Sequence, residues 1–163
     1  VVRRQFVHSL RQLAIVTHCQ GPRARFLTKV MCRANDASMI ATFIQVALGG
    51  AIGAMLRFGA GLCVMRVISS GIPLGVLSVN VLGSFAMGAF TVYSFHRGLQ
   101  HLNPFVMTGV LGGFTTFSAF SLEAFTLYER GQIAAAGLYV VLSVALSLLG
   151  LGLGVLMARG IWA

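Results

Sequence analysis

Residues 112–123 read Gly-Gly-Phe-Thr-Thr-Phe-Ser-Ala-Phe-Ser-Leu-Glu and lie within a long apolar stretch of the chain. Paired glycines, paired threonines and a carboxylate make a poor lipid-facing helix, because glycine destabilises helices and a charge in hydrocarbon is costly. A backbone that breaks inside a bilayer exposes N–H and C=O groups that hydrocarbon cannot satisfy. Such a break is tolerated only where these groups meet protein, water or an ion. The stretch therefore predicts a broken membrane helix in a protein that handles ions or small solutes.

The composition around this stretch is that of a membrane protein. The 163 residues are 57% hydrophobic and 9% charged, and the mean hydropathy is +0.88, which is above the range of soluble domains. Each apolar span is long enough for the roughly 20 residues that a helix needs to cross the hydrocarbon. We predict an all-α membrane protein of four transmembrane helices whose third helix is broken. The predicted spans are residues 40–64, 72–94, 104–127 and 133–158.

Residues 1–38 form a basic leader that differs from the remainder. They hold seven basic residues against one acidic residue, whereas residues 39–163 hold five arginines and two glutamates. Because the basicity does not belong to a folded module, nucleic-acid binding is not expected. The leader is either an amphipathic targeting or surface-binding segment or an over-extended start. We favour an over-extended, disordered start, since Val1 begins the chain and Met39 opens the first span, and we place the working transmembrane domain at 39–163.

The loop charges give no preferred orientation in the membrane. An excess of Lys and Arg normally marks the cytoplasmic side. Without the leader, Arg97 and Arg159 lie on the side of the termini, and Arg66 and Arg130 lie on the other side. A protein without bias can insert both ways, and oppositely inserted copies can pair. Such a pair is an antiparallel dimer with dual topology, and the leader's charge would remove the balance on which opposite insertion depends.

Polar and small residues inside the spans need a reason to be there. Asn80 lies in the middle of the second span, and Tyr139, Ser143 and Ser147 share one stripe of the fourth helix through their i, i+4, i+8 spacing. A lone serine can instead bond the carbonyl four residues back, so a polar track and helix-internal bonding both remain open. Small residues predict close helix contacts: Gly49 with Gly53, Ser84 with Gly88, and Gly150 with Gly152 and Gly154.

Two aromatic and two charged residues complete the candidate groups. Phe117 and Phe120 share a helix face; such a pair usually packs, yet ring edges carry positive charge and can face a small anion. Arg57 lies near a span end, where we expect it to anchor at the interface. Glu123 is expected to accept hydrogen bonds or pair with a cation rather than carry protons.

Three motifs occur in order along the spans. They are residues 49–58, Gly-Gly-Ala-Ile-Gly-Ala-Met-Leu-Arg-Phe, residues 80–85, Asn-Val-Leu-Gly-Ser-Phe, and residues 112–120 together with Glu123. Together they resemble the CrcB/Fluc family of fluoride channels, and the similarity covers residues 39–163. The resemblance implies an antiparallel homodimer of the bacterial inner membrane, with two pores that export fluoride passively. HF enters a cell uncharged and ionises inside, so a selective anion leak prevents its accumulation.

The resemblance also implies roles for individual residues. Main-chain carbonyls of Gly112 and Thr115 from both subunits are expected to hold a central structural sodium ion. Ala119 departs from the family pattern, where threonine is common, and so removes a hydroxyl beside the rings. The expected fluoride pore consists of Asn80, Phe117, Phe120, Tyr139, Ser143 and Ser147, and the expected structural or polar positions are Arg57, Ser84, Thr116, Ser118 and Glu123.

Two other functions are compatible with four spans. A small multidrug-type proton-coupled exporter needs a carboxylate in its first span, where this chain has Arg57 and no acid. A non-transporting membrane scaffold would use its polar stripes only as helix contacts. Catalysis is not expected, because the sequence presents no nucleophile–base pair and no cluster of metal ligands.

Overall fold

The computed structural model describes residues 22–67 and 74–162. Every secondary-structure element in these two ranges is a helix or a helical turn. A single long α-helix comprises Pro22–Val67, and a second comprises Leu74–Arg97. A 3₁₀ turn (Gln100–Leu102), a π-helix (Pro104–Leu111) and one α-helical turn (Gly112–Phe114) follow. The last two α-helices are Phe117–Glu129 and Ile133–Trp162. No strand occurs in the described ranges, which confirms the prediction of an all-α protein.

Four segments are long and apolar enough to cross a membrane, which confirms the predicted number of spans. These spans are Ser38–Val64, Leu74–Arg97, Gln100–Glu129 and Ile133–Trp162. The second span ends three residues later than predicted, because His96 and Arg97 occupy its last turn, where cations favour the negative end of the helix dipole. Gly98, with φ of 67°, ends it in the left-handed conformation that glycine adopts most readily.

The chain divides into two compact units, Val1–Ala41 and Thr42–Ala163. The first unit is described from Pro22 onward and is helical there. Residues 1–21 of the predicted leader lie outside the described ranges, so the leader's place in the working protein stays a prediction. The second unit contains the three sequence motifs and all the candidate site residues.

Glycines bring the backbones of neighbouring spans into direct contact. A Cβ on Gly49 would overlap the carbonyl oxygen of Phe105 in the third span, and one on Gly53 would lie 2.8 Å from the backbone nitrogen of Phe114. Gly88 and Gly154 bring the second and fourth spans together in the same way. The prediction that small residues mark helix contacts is confirmed at these positions. At Gly152 it stays a prediction, since a Cβ there would meet no described atom of the single chain within 4 Å.

The third span changes conformation in its centre. Thr115 (φ −79°, ψ 154°) and Thr116 (φ −151°, ψ 118°) are extended, between the helical turn that ends at Phe114 and the helix that begins at Phe117. The Thr116 side chain caps this new helix by accepting a hydrogen bond from the Ala119 N–H at 3.3 Å, as threonine commonly does at an N-cap.

Candidate functional site

An open groove of about 320 Å³ lies between the second, third and fourth spans. Among the described residues that line it, none is ionisable, so the groove is polar without being charged. Its polar lining comes from Asn80, Ser84, Thr115, Thr116, Ser143 and Ser147, and its apolar lining comes from Gly83, Met87, Phe117, Phe120, Val144, Leu148 and Leu151.

Asn80 pairs with the extended backbone of the third span. Its Oδ1 accepts a hydrogen bond from the Thr116 N–H at 2.8 Å, and its Nδ2 donates to the Thr116 carbonyl at 3.1 Å. A single side chain thereby pairs with both backbone polar groups of Thr116, a residue in the extended conformation. The amide nitrogen carries two hydrogens, so one N–H of Asn80 remains for a ligand in the groove.

Ser143 differs from most other hydroxyls of the spans. Ser78, Thr91, Ser121 and Thr126 each donate to the carbonyl four residues back, at 2.7–2.9 Å. The Ser143 side chain is 4% exposed, yet its Oγ has no hydrogen-bond partner among the described residues. Buried hydroxyls nearly always have a partner. Ser143 is also one of the residues that line the groove, although its Oγ atom is covered in this conformation, so a rotation of the side chain is needed to turn the hydroxyl toward a ligand.

Aromatic rings form a continuous row beside the groove. The ring centroids of Phe117 and Phe120 lie 5.3 Å apart, and Phe120 stacks on Tyr139 at 5.6 Å. Phe120 is buried, whereas Phe117 is 77% exposed in the single chain. Phe120 is therefore fixed by its neighbours, and Phe117 presents its ring on an open surface.

Tyr139 and Glu123 form a hydrogen-bonded pair between the third and fourth spans. The Tyr139 hydroxyl donates to Glu123 Oε2 at 2.6 Å, and the tyrosine is 1% exposed. Glu123 thus accepts a hydrogen bond, as expected from the sequence. Tyr139 is not among the residues that line the groove; it lies behind Phe120 and holds that ring in place.

Some of the remaining predicted residues line the groove and others do not. Ser84 lines it, and the exposed Ser118 hydroxyl lies 3.2 Å from the Thr116 hydroxyl. Gly112 is exposed and Thr115 is partly buried at the groove wall. Arg57, partly buried on the first span, does not line the groove. The structure thus brings together the predicted polar residues of three spans and leaves Arg57 apart from them.

Gly83 and the backbone of Thr116 bring the second and third spans together at the site, and the sequence pattern indicates neither role. A Cβ on Gly83 would overlap Thr115 Cγ2 and lie 3.0 Å from Phe114 Cδ1. The second span can therefore approach the extended residues only because position 83 lacks a side chain. The Asn80–Thr116 pair joins residues 36 positions apart, and no periodicity within a helix indicates such a partner.

The groove is suited to a small anion that must bind weakly. Its available donors are the second N–H of Asn80 and the hydroxyls of Ser143 and Ser147, and the Phe117 and Phe120 edges add partial positive charge. Neutral donors replace part of an anion's hydration shell. No full positive charge lines the groove to trap the anion.

Comparisons with known proteins agree with this chemistry. The profile of the family described as "CrcB-like protein, Camphor Resistance (CrcB)" matches residues 44–155. A protein named fluoride-specific ion channel FluC from Ruegeria sp. (strain TM1040) is 60% identical over 124 residues, which cover 76% of this chain and 98% of that protein. Proteins of the same name from Roseobacter denitrificans and Hyphomonas neptunium are 60% and 48% identical, each over 74% of this chain and 98% of their own length.

Proposed function

This chain belongs to the CrcB-like protein family, and from that premise we propose that it is a fluoride-specific ion channel, not an enzyme. It is a multi-pass membrane protein with four spans. Relatives that share 60% identity over nearly their whole length carry the name of a fluoride channel. The channel exports fluoride passively across the bacterial inner membrane and so lowers the fluoride concentration in the cytoplasm.

The observation that carries this proposal is an uncharged groove lined by both Asn80 and Ser143, whose hydroxyl makes no hydrogen bond with the described residues. Fluoride is small and strongly hydrated, so a pore must offer donors in place of water while binding the ion weakly enough for exit. Ser143 Oγ is buried without a hydrogen-bond partner in the described part of the chain, and Asn80 keeps one N–H beyond its bond to Thr116. Together with Ser147 and the rings of Phe117 and Phe120, they form the fluoride path, and Tyr139 supports it through its stack on Phe120.

The working unit in this proposal is an antiparallel, dual-topology homodimer. The groove of a single chain is open at its side, and Phe117 stands 77% exposed beside it. An anion in hydrocarbon needs enclosure by protein or water, and a second copy supplies the missing wall. The balanced loop arginines support opposite insertion of the two copies. Each dimer then holds two pores.

The third span acts as a broken helix in this dimer, with the break at Thr115 and Thr116. Both residues are extended, so the Thr115 carbonyl leaves the direction of the helix axis. Gly112 is exposed and has no side chain to cover its own carbonyl. Hard cations prefer oxygen ligands of this kind, so the carbonyls of Gly112 and Thr115 from both copies fit a structural sodium ion. The ion, when bound, would supply positive charge at the centre of the dimer.

Ion flux from liposomes tests the proposed function. The purified chain is reconstituted into liposomes loaded with potassium fluoride, and a fluoride electrode measures the fluoride outside. Efflux of fluoride alone builds up a membrane potential that stops further efflux. Fluoride release is therefore expected once a potassium ionophore lets potassium leave as well. Liposomes loaded with potassium chloride serve as the control and are expected to retain their anion. Equal release of the two anions, or retention of both, would contradict the proposal.

A further inference from the structure

A second cavity lies at the end of the spans, apart from the groove. Its volume is about 470 Å³, within the usual 300–1,000 Å³ of small-molecule sites. It is bounded by the last turns of the second span, by the connection to the third span and by the end of the fourth span. The lining residues are Thr91, Val92, Ser94, Phe95, His96, Gln100, Asn103 and Arg159.

Part of the polar lining of this cavity can donate hydrogen bonds to an anion, whereas the Thr91 and Ser94 hydroxyls already donate within the protein. Arg159 offers a planar guanidinium that can bind a phosphate through two hydrogen bonds, and His96 and Gln100 add ring and amide donors. The Ser94 hydroxyl, 1% exposed, donates to Asn103 Oδ1 at 2.7 Å. This bond fixes the orientation of Asn103 and occupies its oxygen, so the amide N–H groups remain for a ligand.

No carboxylate opposes these donors within the described part of the second unit. Its two glutamates, Glu123 and Glu129, both belong to the later half of the third span. The extended residues Thr115 and Thr116 separate both glutamates from Asn103, which lies at the start of that span. The ionisable residues nearest in sequence to the cavity lining are Arg97 and His101. Both are exposed, at the same end of the spans as the cavity. The cavity therefore presents one full positive charge, that of Arg159, with no described side-chain carboxylate opposite it, beside the partially negative C-terminal ends of the second and fourth helices.

The surroundings of the cavity match the boundary between hydrocarbon and water. Tyr93 and Trp162 pack together next to it, with ring centroids 5.1 Å apart, and such aromatic pairs are typical of the membrane interface. Phe95 lines the cavity and is 72% exposed. A ligand with a phosphate in the cavity could therefore place an acyl chain against Phe95. Basic pockets between span ends are known to bind anionic lipid head groups.

We propose that this cavity binds the phosphodiester head group of an anionic phospholipid, held chiefly by Arg159 and the Asn103 amide. Phe95 favours a lipid over a free anion because its exposed ring offers an apolar contact that inorganic phosphate cannot use. This binding does not depend on the proposed fluoride transport.

Native mass spectrometry of the full chain tests the proposal. The protein is supplied in turn with phosphatidylglycerol and phosphatidylcholine, and retention of phosphatidylglycerol is expected to exceed that of phosphatidylcholine. Arg159→Gln is expected to lower phosphatidylglycerol retention about fivefold, from the usual worth of one surface arginine against an anionic lipid. Arg130→Gln is the matched control, since Arg130 is exposed at the other end of the third span, and it is expected to retain the lipid.

Three results would overturn the proposal. They are equal retention of the two lipids by the unmodified chain, an equal loss in the two arginine variants, and stabilisation by sodium phosphate without any lipid preference, which would show a free-anion site. If Arg159→Gln does not purify as a single species, the His96→Ala, Gln100→Ala double variant takes its place with the same expected loss. Because the readout is lipid retention, failure here leaves the fluoride flux result unaffected.

Discussion

Replacing Asn80 with alanine tests whether the extended residues of the third span depend on the second span. In the structure the Asn80 amide makes two hydrogen bonds to Thr116, one to its N–H and one to its carbonyl. Asn80→Ala removes both partners at once. The Thr116 side chain is 8% exposed, so the two backbone groups are poorly placed to find water instead.

The magnitude follows from these two bonds. A buried polar group left without a partner costs about 1–3 kcal/mol. Asn80→Ala leaves the Thr116 N–H in that state, whereas the Thr116 carbonyl, at the N-cap, also accepts the first hydrogen bond of the helix that follows. We expect Asn80→Ala to lower the free energy of unfolding by about 1–3 kcal/mol. Ser121→Ala is the matched control, because Ser121 is exposed and bonds only the carbonyl of its own helix at Phe117; its effect is expected to stay within about 0.5 kcal/mol.

Unfolding in mixed micelles, with increasing SDS, measures both variants. Trp162 is the only tryptophan of the chain and packs against Tyr93 of the second span, so its fluorescence reports the separation of the second and fourth spans. If Asn80→Ala unfolds at the same SDS fraction as Ser121→Ala, the Asn80–Thr116 pair does not stabilise the third span and the reasoning fails.

Three further predictions use the same groove. Gly83→Ala places a methyl group against Thr115 Cγ2 and is expected to reduce both stability and fluoride efflux. Gly152→Ala is the control, because its methyl meets no described atom within 4 Å, and it is expected to change neither. Equal effects of the two variants would contradict a role for Gly83 in the site. Phe120→Ile or Phe117→Ile is expected to impair efflux with dimer assembly retained on size-exclusion chromatography, and Phe125→Ile, outside the groove, serves as the control; normal flux would reduce the rings to packing. Asn80→Asp is expected to suppress efflux, since a carboxylate cannot donate to the Thr116 carbonyl and repels an approaching anion; unchanged efflux from liposomes would exclude Asn80 from the pathway.

The number and approximate bounds of the spans were predictable because long apolar runs have few alternatives in a bilayer. The ends were less predictable. His96 and Arg97 look like loop residues by hydropathy, yet they continue the second helix, where the dipole favours them. The π-helix at Pro104–Leu111 has no equivalent in the hydropathy pattern.

The candidate site was predictable as a set of residues but not as a set of bonds. Helical spacing correctly placed Ser143 and Ser147 on one stripe, and the structure brings both to the groove beside Asn80. Spacing could not distinguish Ser143 from Ser78 or Ser121. The last two bond the carbonyls of their own helices, whereas the Ser143 hydroxyl has no partner within residues 22–67 and 74–162. That difference depends on which neighbouring helix covers the hydroxyl, and so on tertiary packing.

Partners between spans were the least predictable feature. Tyr139 was placed on the polar stripe, but its hydroxyl donates to Glu123 of the third span. Two hydrogen-bonding groups on different helices can meet only when the spans pack at a particular rotation and depth. Gly83 and Gly53 set that packing by close backbone approach, and a single sequence does not show which glycines face which neighbour.

Fluoride efflux from liposomes that contain Ser143→Ala tests the central claim most directly. Ser143 Oγ makes no hydrogen bond with the described residues, so Ser143→Ala is expected to lower the free energy of unfolding by about 1 kcal/mol or less. A hydrogen bond to an ion is worth about 1.5–3 kcal/mol, so efflux is expected to fall about tenfold or more, whereas Ser121→Ala is expected to conduct normally. Normal fluoride efflux from a stable Ser143→Ala protein would contradict a fluoride path along the groove.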